Sequence, residues 1–348
     1  MAAFSDYRRR NLFVLGGVTL LVVALAGVAL TQRSQQMGPS FEPQPVIPGL
    51  TDTINNIGEV TVETRDTLFH ARRTDEGTWV IPERSNFPAN VQMVRAASVG
   101  MSELQALEPR TAQPELLGRL GLVAPADGGD AVRVVLSDRA GETLGDLLIG
   151  HPQGVSDPEG LNRFYVRRNG EDQSWLARGS MVASPDITAW LDKNIVAIDR
   201  ERIRSTTFTL PGEPSFTVAR ADETEMEYTL TEIPPGREMS YPGVAYVPAT
   251  VIANFTFDDA LPVNEVDFTN AAEIVTETFD GLRIIVHVAP VGDAHWASLA
   301  AESDGAQEQQ DEAAQINISA HAWAFLLPEF TAQTFLSTRE SLLAPPAE

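Results

Sequence analysis

The chain has 348 residues, 43% of them hydrophobic, with a formal net charge of −23 at pH 7 and no cysteine. This charge argues against nucleic acids and anionic lipid headgroups as partners, because both would be repelled; solubility alone is its simpler explanation. The absence of cysteine excludes disulfide bonds, thiolate zinc sites, cysteine-ligated iron–sulfur clusters and thiol catalysis.

The first feature in chain order is the apolar segment 12–31, which has no charged residue and follows Arg8, Arg9 and Arg10. Its length as a helix, about 30 Å, equals the thickness of a bilayer's hydrocarbon core. The arginines favour a cytoplasmic N-terminus. We therefore expect a cytoplasmic tail at 1–11, one transmembrane helix at 12–31 in a bacterial inner membrane, and a periplasmic C-terminal ectodomain. A cleaved signal peptide is the alternative.

The rest of the chain divides into a predicted stalk and two predicted halves. Residues 32–53 are expected to form a flexible stalk, because proline, glutamine and glycine are frequent there. Residues 54–200 would form a first α+β ectodomain half and residues 201–343 a second. The region left after removal of the anchor and stalk is long enough for two domains or for one domain of repeated units.

The first half opens with a predicted three-stranded meander. Apolar and polar residues alternate around Val60 and Phe69, and a third short strand surrounds Val80. A helix is expected after Pro88, with apolar residues at spacings of three and four. A shorter helix is expected from Pro114 to a stop at Gly121.

Glycine turns predict hairpins further along the chain. Asp138 to Gly141, the pair Asn169–Gly170 and the pair Asp280–Gly281 each separate two apolar runs. Between the second and third of these turns, Ser184 and Pro185 are typical of a helix start. That helix is predicted to run through Trp190 to about residue 195.

The second half resembles the first in its order of elements. The segment that starts at Ile203 resembles the strand at Ile57, and Pro248 is expected to open a helix as Pro88 does. A short amphipathic helix is expected from Phe330 to Leu343. We therefore predict an α+β fold of repeated βββα-type units, meaning antiparallel meanders with packed helices, behind one N-terminal transmembrane helix.

No sequence motif for catalysis or cofactor binding is present. The chain lacks a phosphate-binding loop, a dinucleotide fingerprint, a nucleophile elbow and a zinc-protease motif. Its five histidines are too far apart for a local metal site. No catalytic, cofactor-binding or metal-ligating residue is therefore predicted, and no cofactor. Acids near predicted helix ends are the positions to test for an unrecognised enzyme: Glu108, Asp186, Asp192, Asp258 and Asp259.

Tryptophans are the other candidates for a binding surface. Each lies in an apolar pattern, which favours a place in the core. These residues are Trp79, Trp175, Trp190, Trp296 and Trp323.

The order of short motifs resembles a known family. It comprises an apolar N-terminal segment, Asp-x-Gly-x-Trp ending at Trp79, Gly-Leu-x-x-Pro from Gly121, Leu-Ile-Gly ending at Gly150, Trp-Leu-Asp from Trp190, and an apolar run from Trp323 to a proline. Over 54–343 the chain resembles the domain-of-unknown-function 4340 family (DUF4340). The resemblance implies a bacterial envelope protein associated with gliding-motility-type (Gld) ABC transporters. It implies no catalytic residue.

These observations favour a non-catalytic, periplasmic-facing accessory or structural subunit of a membrane ABC-type transport or envelope complex. Its expected partners are the membrane, through the anchor, and the permease and ATPase subunits. One alternative is a periplasmic hydrolase of envelope polymers that uses dispersed carboxylates, since an acid–base pair need not be close in sequence. Another is a stand-alone cell-envelope scaffold.

Overall fold

Two large antiparallel sheets dominate the fold. The structure is a computed structural model and describes residues 41–154 and 160–346. Within these residues the strands form one sheet of ten strands and one of eight, and every described pair of neighbouring strands is antiparallel.

The first sheet has the order β1-β6-β10-β9-β8-β7-β2-β3-β4-β5. Its strands are β1 (Gln44–Pro45), β2 (Ile57–Glu63), β3 (Leu68–Arg73), β4 (Trp79–Ile81), β5 (Phe87–Pro88), β6 (Gln105–Pro109), β7 (Val132–Asp138), β8 (Thr143–Pro152), β9 (Asn162–Arg168) and β10 (Ser174–Gly179). The end of the predicted stalk thus contributes an edge strand, and Val46 and Leu50 beside it are buried.

The second sheet has the order β13-β12-β11-β15-β16-β17-β18-β14. Its strands are β11 (Ile203–Thr209), β12 (Phe216–Ala219), β13 (Thr229–Leu230), β14 (Ala260–Pro262), β15 (Ala272–Thr278), β16 (Leu282–Val291), β17 (Ala294–Ser303) and β18 (Trp323–Leu326). Alternate residues of the long strand β16 are buried, as expected for a sheet with one face in the core.

The helices within the described residues are few and mostly short. They are α1 (Leu50–Thr53), α2 (Val91–Ser102), α3 (Pro114–Leu117), α4 (Tyr246–Ala249), α5 (Gln307–Ala320) and α6 (Glu329–Phe335). The predicted α+β fold of repeated βββα units is therefore wrong, since extended sheets form most of the structure and the helices do not recur in a fixed place. Helix α2 lies between β5 and β6, whereas α5 lies between β17 and β18.

Backbone pairing explains why one predicted helix did not form. The cap of this segment is Asp186 and not Ser184, since the Asp186 side chain accepts a hydrogen bond from the Thr188 amide at 2.9 Å. The helix nevertheless ends at Trp190, because the carbonyl of Trp190 accepts from the Asn90 amide at 2.7 Å and Leu191 bridges to Ala89. Only one 3₁₀ turn, Ile187–Trp190, remains.

The two sheets share an order of strands although not of helices. Seven strands of the first sheet, β10-β9-β8-β7-β2-β3-β4, follow the same order as β18-β17-β16-β15-β11-β12-β13 of the second. In the second half Pro248 does not open a long helix, since it lies inside the four-residue α4. What the halves have in common is therefore a pattern of strand pairing.

No helix in the described part of the chain is long and apolar enough to cross a membrane. The longest of them, α5, has 14 residues and rises about 21 Å, less than the roughly 30 Å of a hydrocarbon core. The predicted tail at 1–11 and the predicted span at 12–31 lie outside the described residues. The predicted single-pass placement in a bacterial inner membrane is thus not supported by any described helix, and we do not propose it again.

One hydrophobic core joins the two sheets. At their junction Phe87 of β5 is fully buried, and its ring centroid lies 4.8 Å from that of Trp323 and 5.8 Å from that of Phe257. Nearby, Arg84 Nε donates to Asp259 Oδ1 at 2.6 Å. Aromatic packing and an ion pair therefore connect the halves.

The chain's single lysine reinforces this junction. Lys193 Nζ donates to the carbonyls of Phe257 and Asp258 at 2.6 and 3.0 Å and lies 4.2 Å from the centroid of the Phe257 ring. Burial lowers the pKa of Lys193, against the opposing effect of Asp258, Asp259 and Asp186. Three of the acids selected from the sequence thus lie near Lys193, whose ammonium group has a structural role at the junction.

Candidate binding cleft

An open cleft of about 400 Å³ lies on the second half of the molecule, between α4 and α6. Its apolar lining consists of Tyr246, Val247 and Val251 on one side and Phe330 on the other. The volume falls in the range of pockets that bind small molecules or the side chains of a partner.

Two exposed apolar side chains lie at the rim of the cleft. Helix α6 turns Ala332 and Phe335 into the core, which leaves Phe330 on the opposite side with 72% of its surface exposed. Helix α4 likewise buries Ala249 and leaves Val247 at 50% exposed. Full burial of a phenylalanine or valine side chain is favourable by about 1.5 to 3 kcal/mol, so both rim residues would gain from being covered.

Threonines complete the lining, and two of them have satisfied hydroxyls. Thr250 Oγ1 donates to the carbonyl of Tyr246 at 2.9 Å, and Thr334 Oγ1 donates to that of Phe330 at 2.8 Å. In both cases the acceptor is a carbonyl of the preceding helical turn, so these two hydroxyl donors are already used. An apolar group therefore fits there at low desolvation cost.

One charged residue lies at the rim. Arg200 is exposed, makes no ion pair with any described residue, and is the sole charged residue among the described residues that line the cleft. Buried Arg220 holds the backbone at this position, because its guanidinium donates hydrogen bonds to the carbonyls of Arg200 and Glu201. The local charge of the cleft is thus opposite in sign to the net charge of −23.

A second cavity, of about 420 Å³, is lined by the acids Glu277, Glu302 and Asp304, and the first two are paired with arginines. Glu277 lies 2.7 Å from Arg204, and Glu302 lies 3.4 Å from Arg283. These residues come from neighbouring strands, so the charges alternate across β11, β15, β16 and β17. Each of these two acids thus has an arginine partner on a neighbouring strand, and an ion pair accounts for its presence there.

The acids selected from the sequence are not gathered in either cavity. Glu108 pairs with Arg110 at 3.0 Å and is mostly exposed. Asp192 Oδ1 accepts from the backbone and side-chain nitrogens of Asn194, and Asp186 caps the turn before Trp190. No group of three or more possible metal-ligating side chains is found among the described residues.

The tryptophans divide between core and partial exposure. Trp190 is fully buried, as predicted, and its Nε1 donates to the carbonyl of Ser184 at 3.0 Å. Trp79, Trp175 and Trp323 are partly buried and pack against the main core. Trp296 is also partly buried, but it lies outside that set.

The residues of the cleft were not singled out from the sequence. Phe330 was expected to begin an amphipathic helix that runs to Leu343; α6 does contain Phe330 but ends at Phe335. The helical pattern alone does not tell which apolar side chain is left outside when several are available. Arg200 had no distinguishing signal, because its isolation depends on the positions of acids elsewhere in the fold.

The fold and the cleft define a two-sheet antiparallel β protein with an apolar surface cleft. The family described as "Domain of unknown function (DUF4340)" matches residues 79–285, more than half of the chain, and the protein belongs to that family. No catalytic family is identified. The match includes Tyr246 and Val251 of the cleft and ends before α6. No curated protein and no solved structure matches the chain.

Proposed function

We propose that the protein is a non-catalytic accessory or structural subunit of an ABC-type transport complex. Its contribution would be a docking surface for another subunit. The observation that carries this proposal is the open cleft with Phe330 and Val247 exposed at its rim. Exposed apolar side chains that lie together on a protein surface are typical of interaction sites, whereas single ones are common everywhere.

The pairing of acids in the second cavity favours binding over hydrolysis. A glycoside hydrolase needs two carboxyl groups in one cleft, one of them protonated near neutral pH. Glu277 and Glu302 are instead each paired with an arginine of a neighbouring strand. The link to ABC transporters itself rests on the family resemblance.

The proposal is tested by purification of the tagged full-length chain from its source cell. Phe330→Ser should reduce the recovery of an ABC permease and ATPase, identified by mass spectrometry, by about thirtyfold or more if Phe330 is a central contact. Ile318→Ser is the matched control, because Ile318 on α5 is 75% exposed and lies away from the cleft.

Two results would contradict the proposal. One is a wild-type preparation that contains neither an ATPase nor a permease. The other is a variant among Asp→Asn and Glu→Gln substitutions that is folded and abundant, still assembles, and has lost all cellular function. The second result would favour the hydrolase alternative, since loss of a general acid or base lowers the rate by about 100- to 10,000-fold.

A further inference from the structure

We propose that the cleft between α4 and α6 docks a segment of a partner protein in which an apolar side chain is followed directly by a carboxylate. This inference rests on the proposed function and specifies the chemistry of the partner. It depends on three properties of the cleft: its size, its charge and its openness.

The size of the cleft fits one large side chain and part of a neighbour. A cavity of about 400 Å³ is wide enough for an aromatic or branched aliphatic group between Tyr246 and Phe330. Thr250 and Thr334 present hydroxyls that already donate to backbone carbonyls. These two threonines therefore require no hydrogen-bonding partner on the group that enters.

The charge of the cleft specifies the second element. Arg200 stands at the rim of the cleft with its guanidinium exposed and without an ion pair to any described residue. Because the protein carries a net charge of −23, acidic partners are repelled elsewhere on average. A carboxylate next to the apolar side chain would form an ion pair with Arg200, whereas the rest of the acidic surface would repel it. The ion pair would therefore fix the position of the segment in the cleft as well as strengthen its binding.

The openness of the cleft favours a protein segment over a lipid-like carboxylate. A small-molecule site usually encloses 70–90% of its ligand's surface. Here the largest apolar contributions come from Phe330 and Val247 at the rim, which are 72% and 50% exposed. Covering these rim side chains requires a ligand that extends beyond the cleft on both sides. A protein segment can do this, but a single acyl chain cannot.

The test is a fluorescence titration of the full-length chain. Because the chain has no cysteine, Gln333→Cys introduces one thiol for an environment-sensitive dye on the exposed side of α6. The probes are the blocked peptide acetyl-Gly-Phe-Asp-Gly-amide, its counterpart with asparagine in place of aspartate, its counterpart with alanine in place of phenylalanine, and laurate.

We expect saturable binding of the aspartate peptide, binding about fivefold weaker for the asparagine peptide, and no measurable binding of the alanine peptide. Fivefold corresponds to about 1 kcal/mol, the upper range for an exposed ion pair. Arg200→Gln should remove the preference for aspartate. Arg95→Gln, which changes an exposed arginine of α2, should leave it intact. Added salt should weaken the aspartate peptide more than the asparagine peptide.

The inference is overturned if the two peptides bind equally, if Arg200→Gln keeps the preference, or if none of the peptides binds. Saturable binding of laurate without peptide binding would show a lipid site instead. These failures are separate from failure of the proposed function. If Phe330→Ser abolishes assembly with the transporter while the peptides show no preference, the accessory role stands and the partner chemistry proposed here is wrong.

Discussion

Phe87→Ala should destabilise both halves of the protein together. The Phe87 side chain is fully buried, and its ring lies within 4.8 to 6.3 Å of the rings of Trp323, Phe257 and Phe325. All three contacts join Phe87 of the first sheet to residues that follow residue 200 in the chain. Removal of a buried phenylalanine costs about 3 to 5 kcal/mol through lost transfer free energy and a residual cavity.

The assay is thermal unfolding followed by circular dichroism and calorimetry. At about 2 to 4 °C per kcal/mol, the melting temperature should fall by about 10 °C and the transition should stay single. Phe330→Ala is the matched control, because a ring that is 72% exposed should change stability by less than about 0.5 kcal/mol. A variant that melts like the wild type, or a first sheet that unfolds alone, would refute the joint core.

Three further variants test local details of the structure. Gly100→Ala should destabilise the protein, because the added Cβ would lie 2.5 Å from the Cα of Met181. This clash should outweigh the better helix propensity of alanine, which is worth about 1 kcal/mol. A rise in melting temperature would contradict this expectation. Arg220→Met should cost about 3 kcal/mol in chemical denaturation, since it leaves buried carbonyls without donors. Burial raises the pKa of Glu83, but hydrogen bonds from the ring and amide of His70 outweigh it and lower that pKa; the wild type should therefore exceed Glu83→Gln in stability at neutral pH and lose this excess as the pH falls through the acid range. A difference that grows on acidification would refute the pairing.

Local turns were predictable from the sequence because one residue type determines them. Gly141, Gly170 and Gly281 all have positive φ angles, of 86°, 79° and 87°, at the hairpins predicted there. The helix α2 was also predictable, since Val94, Ala97 and Met101 form its buried face. Its actual start is set by Asn90, whose side chain accepts from the amides of Gln92 and Met93.

The architecture was not predictable, because long-range pairing determines it. Strand β2 pairs with β7, and β11 pairs with β15, across wide gaps in the chain. Such pairing also outweighs local preference, as at Trp190, where a bond to Asn90 replaces a longer helix. The division at residue 200 into two halves stays a prediction.

The candidate cleft between α4 and α6 was not predictable for a related reason. Phe330 and Phe335 lie on the same short helix, and only tertiary packing decides that Phe335 is buried and Phe330 is not. The sequence likewise shows Arg200 among other arginines and acids without telling which of them pair. A site of this kind has no motif, because it depends on what remains uncovered after folding.

Photo-crosslinking at position 330 can show whether the cleft contacts a subunit of an ABC transporter. Phe330→p-benzoylphenylalanine keeps an aromatic ring at the cleft, and the same substitution of Ile318 on α5 serves as the reference position. We expect irradiation of whole cells to crosslink residue 330, and not residue 318, to a permease or ATPase subunit of an ABC transporter. Equal crosslinking at both positions, or none at 330 while the complex still co-purifies, would contradict it.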